Sequence, residues 1–368
     1  MNQLNNLPST PAYLYLQDGT LLIGKSFGAK GTCGGEICFN TGMTGYQEVF
    51  TDPSYTGQML IMNTAYTGNY GVADMDVESD SVKIRGLIGR NMSSRYSRFM
   101  ANDSFENYLV KNNLIAIQDV DTRALVQHIR SKGAMNCVIS TEYSSVEDLK
   151  AQLDKVPDMA GLELSSEVST KEAYTVGDEN AAIRIAVLDF GVKKHILTSL
   201  AQRGAYLKVF NAHTDVATLE AFNPTGFFVS NGPGDPASMP YAVETIKGLL
   251  ATDKPLFGIC LGHQLLALAN DIPTFKMHHG HRGLNHPVKN LITGKSEITT
   301  QNHGFGIVPE AAKASDLIEI THVNLNDDSI EGIRMRNKRA FSVQYHPEST
   351  PGPHDSRYLF DDFIAMMK

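Results

Sequence analysis

The 368-residue chain carries a net charge of −8, is 42% hydrophobic and 20% charged, and has no dense run of lysine or arginine. That balance suits a soluble globular protein of about two domains and argues against nucleic acid or an anionic membrane as the main partner. No apolar run reaches the roughly 18 residues that span a bilayer, and Met1 to Pro11 lacks the charged-then-apolar pattern of a secretory signal.

Four cysteines in a chain of this length do not make a disulfide scaffold. Cys33, Cys38 and Cys137 lie in or beside apolar segments and read as buried small hydrophobes. A reducing cytoplasm is the expected setting, and it would keep the fourth, Cys260, free.

The first half reads as β-rich. Ala12 to Leu16 and Leu21 to Ile23 flank Asp18-Gly19, a hairpin signal. Glu36 to Glu48 is rich in turn residues, and Thr51-Asp52-Pro53-Ser54-Tyr55 is a further turn; on composition alone both read as tight connections. Leu114 to Ile117 is strand-like. Asp121 suits an N-cap for a helix over Thr122 to Ser131, with Gly133 as its stop. Val138 to Ser140 reads as a strand and Val146 to Leu153 as a helix. Ser165 to Asn180 is polar and aperiodic, so it is taken as a linker, giving domains of 1–180 and 181–368.

The second half alternates strand and helix. Ile183 to Gly191, Leu207 to Phe210, Gly226 to Ser230 and Pro255 to Ile259 read as buried strands. Helical runs follow them at Ile196 to Arg203, Tyr241 to Ala251 and Gln264 to Ala269. This spacing predicts an open, mainly parallel α/β sheet, whose sites lie at the carboxyl ends of its strands. The fold class expected is α/β, with a β-rich α+β domain ahead of that sheet.

The chemistry centres on Gly258-Ile259-Cys260-Leu261-Gly262. This is the glycine-x-nucleophile-x-glycine turn, with cysteine as the nucleophile. A strand that turns at once into a helix strains the residue at the turn, and glycines two residues either side keep it uncrowded. The helix start beneath it favours a thiolate. Phe341 to Tyr345 is strand-like and ends in His346-Pro347-Glu348. That places an imidazole base and a carboxylate to orient it at another strand end. The Gly232-Pro233-Gly234 loop exposes backbone N–H groups that, with the N–H of Leu261, suit an oxyanion hole.

Three motifs carry a resemblance: Ser230 to Pro236 (SNGPGDP), Gly258 to Gln264 (GICLGHQ) and His346-Pro347-Glu348. In this order they resemble a class I, triad-type glutamine amidotransferase domain. Gly283 to Val288, Gln301 to Phe305, Ser349 to Asp355 and, in the first half, Phe39 to Glu48 and Thr51 to Tyr55 extend the likeness. Over nearly the whole chain it is similar to the small, glutaminase subunit of carbamoyl-phosphate synthetase.

The resemblance implies roles. Cys260 would form a γ-glutamyl thioester with L-glutamine, His346 would serve as general base and acid, and Glu348 would orient it. Ser54, Gly232, Gly234, Leu261, Gln264, Asn302, Gly304 and Phe305 match glutamine-binding positions, with Gly234 and Leu261 supplying oxyanion donors. Ser54 comes from the first half of the chain, which implies a pocket at the domain interface. Ammonia would pass to a large, synthetase subunit in a cytoplasmic heterodimer. That partner would use bicarbonate, ATP and Mg to make carbamoyl phosphate for arginine and pyrimidine biosynthesis.

No cofactor is expected in this chain, which lacks a P-loop and a dinucleotide fingerprint. No metal is expected either: the spacing of His278, His279, His281 and His286 suits no common zinc pattern, and the piece reads as a loop near the active site. Two other readings stand beside the glutaminase. A stand-alone cysteine amidohydrolase would act on its substrate without a partner. A catalytically silent binding subunit would leave Cys260 inert to glutamine-mimicking electrophiles.

Overall fold

The computed structural model describes residues 10–368. The reading of Met1 to Pro11 as carrying no signal falls mostly outside them. The chain divides into two compact units: residues 10–51 with 57–158, and Asp52–Thr56 with Met159–Lys368.

The first unit is a closed barrel of seven strands, β1 (Pro11–Leu16), β2 (Leu21–Gly28), β3 (Thr32–Asn40), β4 (Gln58–Met62), β5 (Gly86–Gly89), β6 (Ile115–Gln118) and β7 (Asn136–Ser140). Their order around it is β1-β2-β6-β5-β4-β3-β7. The predicted hairpin is the β1–β2 pair. β3 to β6 run parallel, and the other pairs are antiparallel. Alternate residues fill the interior, among them Ala12, Leu14 and Leu16, Ile37 and Phe39, Met59 and Ile61, and Ile115 and Ile117. This is the period of two that a strand imposes. Helix Thr122–Lys132, capped by Asp121 Oδ1 on the Ala124 N–H, adds Leu125, Val126 and Ile129 to that core.

The second unit holds one ten-stranded sheet built from β8 (Tyr174–Val176), β9 (Ile183–Asp189), β10 (Ala205–Asn211), β11 (Gly226–Val229), β12 (Leu256–Ile259), β13 (Thr274–Asn290), β14 (Ser296–Ile307), β15 (Ile318–Asn324), β16 (Ile330–Met335) and β17 (Ala340–Val343). The order is β14-β13-β15-β16-β17-β12-β11-β9-β10-β8. The five strands β17-β12-β11-β9-β10 are parallel. Alternation again sorts the faces. Ala186, Leu188, Phe227 and Val229 pack under helices Pro240–Ala251 and Leu261–Ala269. Ile185, Val187, Phe228 and Phe257 pack under helices Lys194–Ala201 and Tyr358–Ala365. Each residue of such a helix that is fully buried contributes roughly 1.5–3 kcal/mol, so the sheet's carboxyl edge is a rigid platform.

Three expectations are revised. Glu36 to Asn40 is buried strand, not turn; Gly34, Gly35 and Glu36 hide its apolar pattern, and Gly35 is needed because a Cβ there would sit 2.4 Å from the Gly57 carbonyl oxygen. The division falls between Asp158 and Met159 rather than near 180, because the supposed linker is docked: Ser165 Oγ donates to Pro233 O at 3.1 Å and the Thr170 N–H donates to Asp189 Oδ2 at 2.7 Å. The histidine-rich piece is not a loop but part of β13, paired antiparallel to β14 in a sheet extension that strand-helix alternation could not anticipate.

Candidate active site

Cys260 is the single residue between β12 and the helix that starts at Leu261, and it takes φ +53° and ψ −103°. A side chain held there costs on the order of 1–3 kcal/mol, and the surroundings hold it. Its N–H donates to Val343 O at 2.9 Å, and its carbonyl accepts from the N–H groups of His263 and Gln264 to begin the helix. The flanking glycines are obligatory. A Cβ on Gly258 would meet Gly262 O at 2.8 Å, and one on Gly262 would meet Val229 O at 2.3 Å. Leu261 is the first helical residue, so its N–H has no acceptor within the helix.

His346 follows β17, the neighbour of β12, and is pinned by its N–H to Thr300 O at 2.9 Å. Its Nδ1 donates to Glu348 Oε1 at 2.8 Å, which leaves Nε2 for chemistry; Nε2 has no hydrogen-bond partner among the described residues. Lys193, just beyond the end of β9, donates from Nζ to the same Glu348 oxygen at 2.8 Å and to Thr350 O at 3.1 Å. All three side chains are buried. Burial opposes charge on Glu348, but the Lys193 ammonium and then His346 overturn this and hold the carboxyl well below its ordinary range. Burial would also drive His346 neutral, yet the Glu348 carboxylate, helped by the Cys260 side chain, raises it to about 10. The thiol itself hydrogen-bonds Asn302 O at 3.6 Å. Cys260 and His346 are thus neighbours, close enough for the thiol side chain to help hold the proton on the imidazole.

Hydrogen bonds and close approaches fix several of the expected binding positions. Asp52–Thr56 belongs to the same unit, so Ser54 lies within it. Ser54 Oγ accepts from Asn231 Nδ2 at 2.9 Å, and Asp52 Oδ2 accepts from Asn302 Nδ2 at 3.1 Å. Gln264 Nε2 donates to Phe305 O at 2.8 Å and to Gln344 Oε1 at 3.0 Å, locking the catalytic helix to β14. The Gly232 loop abuts Leu261: a Cβ on Gly232 would come within 3.0 Å of Leu261 Cδ2. Gly234 takes φ +95°, and Gly304 sits on β14 between Asn302 and Phe305.

A strained thiol, an oriented imidazole and nearby amide and backbone groups are the parts that an acyl-transfer centre requires. Residues 186–366 match the glutamine amidotransferase class-I family, and residues 14–139 match the carbamoyl-phosphate synthase small chain, CPSase domain. The carbamoyl phosphate synthase small chain of Chlorobaculum tepidum is 47% identical over 360 residues, 97% of this chain and 98% of that one. The small chain of Aquifex aeolicus is 45% identical over 367 residues, 96% and 98% of the two chains. This chain belongs to the carbamoyl-phosphate synthase small-chain family. With both family matches on one chain, a class I amidotransferase domain preceded by the small-chain domain is its architecture.

Sequence reasoning missed three members of the site. Lys193 follows the strand that ends at Asp189, so the strand-end rule that found Cys260 and His346 points to it as well. Asn231 lies inside the SNGPGDP loop, but its side chain was not singled out. Asp52 accepts the Ser54 N–H on Oδ1 at 2.9 Å, an Asp-x-Ser turn legible in the sequence. What was not legible is that this turn joins the second unit. His263 adjoins the nucleophile but is a core residue: its Nδ1 pairs with Ser342 Oγ at 2.9 Å, and burial lowers its pKa to about 3.

Proposed function

We propose that this chain is the glutaminase subunit of a glutamine-hydrolysing carbamoyl-phosphate synthase. The observation that carries the reading is the strained Cys260 beside an imidazole whose far nitrogen is held by a buried, lysine-paired carboxylate.

Cys260 Sγ, its proton already on the His346 Nε2 that Glu348 keeps charged, attacks the side-chain amide carbon of glutamine. Backbone N–H groups at Leu261 and Gly234 take the charge that develops on the amide oxygen. His346 returns the proton to the leaving nitrogen, the C–N bond breaks, and ammonia departs from a γ-glutamyl thioester. Water then attacks the thioester and gives a proton to His346, which keeps it as the C–S bond breaks and glutamate leaves. Ser54, Gly232, Gln264, Asn302, Gly304 and Phe305 position the glutamine. Glu348 holds His346 by Nδ1 throughout, so Nε2 is the nitrogen that shuttles. Because Glu348 favours the charged imidazole, a proton is in place on Nε2 when the leaving nitrogen needs one.

The ammonia serves a large synthetase subunit, which uses ATP, Mg and bicarbonate to form carbamoyl phosphate for arginine and pyrimidine synthesis in the cytoplasm. No helix of the described residues is long and apolar enough to cross a membrane. The test is Cys260→Ser in the reconstituted complex. Glutamine-dependent synthesis is expected to disappear while synthesis from free ammonia persists. Loss of both, or full glutaminase activity of the isolated chain at the rate of the complex, would refute the division of labour.

A further inference from the structure

The antiparallel part of the second unit holds another buried polar cluster, to which the glutamine chemistry gives no task. β13, β14 and β16 bring His281, Gln301, His303 and Glu331 together, and ligand atoms of His281, His303 and Glu331 lie within 4.8 Å of one another. All three are buried, Glu331 completely. His281 Nδ1 is 3.5 Å from Glu331 Oε1 and 3.1 Å from Gln301 Oε1, and His303 Nε2 is 2.9 Å from that same Gln301 oxygen.

The hydrogen bonds in this cluster are not all satisfied by the protein's own groups. His303 Nδ1 meets Phe305 O at 2.8 Å. A carbonyl oxygen only accepts, so the proton of neutral His303 is on Nδ1 and its Nε2 lone pair faces Gln301 Oε1, a second acceptor. Turning the Gln301 amide would relieve His303. It would then set an N–H against His281 Nδ1; a proton on that nitrogen meets this N–H, and a lone pair there meets the Glu331 carboxylate, while Nε2 faces Asp327. Either amide orientation leaves one repulsive contact. Glu331 Oε2 adds a further buried acceptor with no hydrogen-bond partner, and no lysine or arginine pairs with Glu331 among the described residues.

We propose that His281 Nδ1, His303 Nε2 and the Glu331 carboxylate, with the Gln301 carbonyl as a fourth donor, form a binding site for a divalent transition metal of the zinc(II) class. Two imidazoles with carboxylate and carbonyl oxygens are a borderline donor set suited to zinc. The outer partners are those a metal-bound histidine needs: His281 Nε2 donates to Asp327 Oδ2 at 2.8 Å, His303 Nδ1 donates to Phe305 O, and Asn324 Nδ2 donates to Glu331 Oε1 at 3.0 Å. On binding, His281 releases its Nδ1 proton to solvent and every inward lone pair points at the ion. With four protein ligands the site is closed and its role structural. It clamps β14, the strand that carries Asn302, Gly304 and Phe305. The ligands come from three strands, so spacing within the histidine-rich piece could not reveal them.

The test uses the full chain as Cys260→Ser, so that the catalytic thiol cannot take the ion. The chain is stripped with a chelator, titrated with zinc against a chromogenic competitor, and its melting temperature is followed. One equivalent is expected to bind and to raise the melting temperature. Glu331→Gln and, separately, Asp327→Asn should each weaken binding by about 10–100-fold; Asp327 is partly exposed, so its variant reads out the site even if the Glu331 variant folds poorly. Three results would overturn the proposal: no zinc retained, zinc held equally well by both variants, or zinc held by the wild type but not by Cys260→Ser.

Discussion

Two buried clusters in the same unit each combine histidine with carboxylate, yet they are neutralised differently. At the nucleophile, Glu348 is shared between His346 and Lys193, so a charge that stays in place backs a proton that moves. On the proposed mechanism His346 gives up and regains its Nε2 proton without leaving a bare carboxylate in the interior, where an unpaired charge is costly. In the antiparallel extension, Glu331 and Asp327 face His281, with Asn324 and Ser329 as neutral donors, and against its burial they raise that imidazole to about 9. A cluster built to transfer protons carries a permanent cation; a cluster of inward acceptors without one is suited to hold an ion.

The largest expected contrast is kinetic. His346→Asn should lower glutamine hydrolysis by about 10²–10⁴-fold, the usual worth of a positioned acid-base group, whereas Glu331→Gln should leave the rate within about tenfold because it touches no reacting atom. Steady-state ammonia release from the reconstituted complex decides it, and equal losses would erase the distinction between the clusters. The next contrast is energetic. Lys193→Met strips the buried Glu348 of its permanent partner, and removing one member of a buried pair costs roughly 3–5 kcal/mol. Urea denaturation is expected to show that loss, and Lys193→Met with Glu348→Gln should recover part of it. A double variant less stable than the sum of its parts would mean that Lys193 acts through packing instead of charge. A smaller and local effect is expected from Glu348→Gln alone: NMR titration of the His346 ring should move from about 10 toward the ordinary histidine range.

The parts of this site that were legible in the sequence are those whose chemistry and backbone need coincide. Gly258 and Gly262 are readable because no side chain fits there, and Cys260 because a nucleophile is what such a turn displays. His346 and Glu348 are two residues apart, so one strand end delivers both. The parallel strands were legible from apolar runs that alternate with helices. The pairings of Lys193, Asn231 and Asp52 were not, since each works through a partner far along the chain: Glu348, Ser54 and Asn302 respectively. β4 and β5 escaped for a related reason. Residues 58–62 and 86–89 are buried along their whole length, so they lack an alternating pattern, and β5 is only four residues long. β13 escaped because its histidines, glycines and register shifts obscure the strand period.

The smallest effect concerns alkaline stability, and its sign follows from the direction in which each group is shifted. The groups facing His346 are Glu348, Lys193 and Cys260. The folded chain raises His346 from 6.5 to about 10, so its contribution is complete below about 6.5 and is lost as pH climbs through about 10. Glu348 is shifted the other way: its contribution is present above 4.5, is lost only in acid, and stays constant through the alkaline window. In a Cys260→Ser background, which removes the thiol's own titration, the Glu348-containing chain should therefore lose stability between about pH 7 and about pH 9.5 faster than its Glu348→Gln counterpart. Denaturation midpoints at the two pH values measure the slopes directly. Parallel slopes would mean that the carboxylate does not hold the proton on His346, and Glu348 would be left with orientation as its only service to the imidazole.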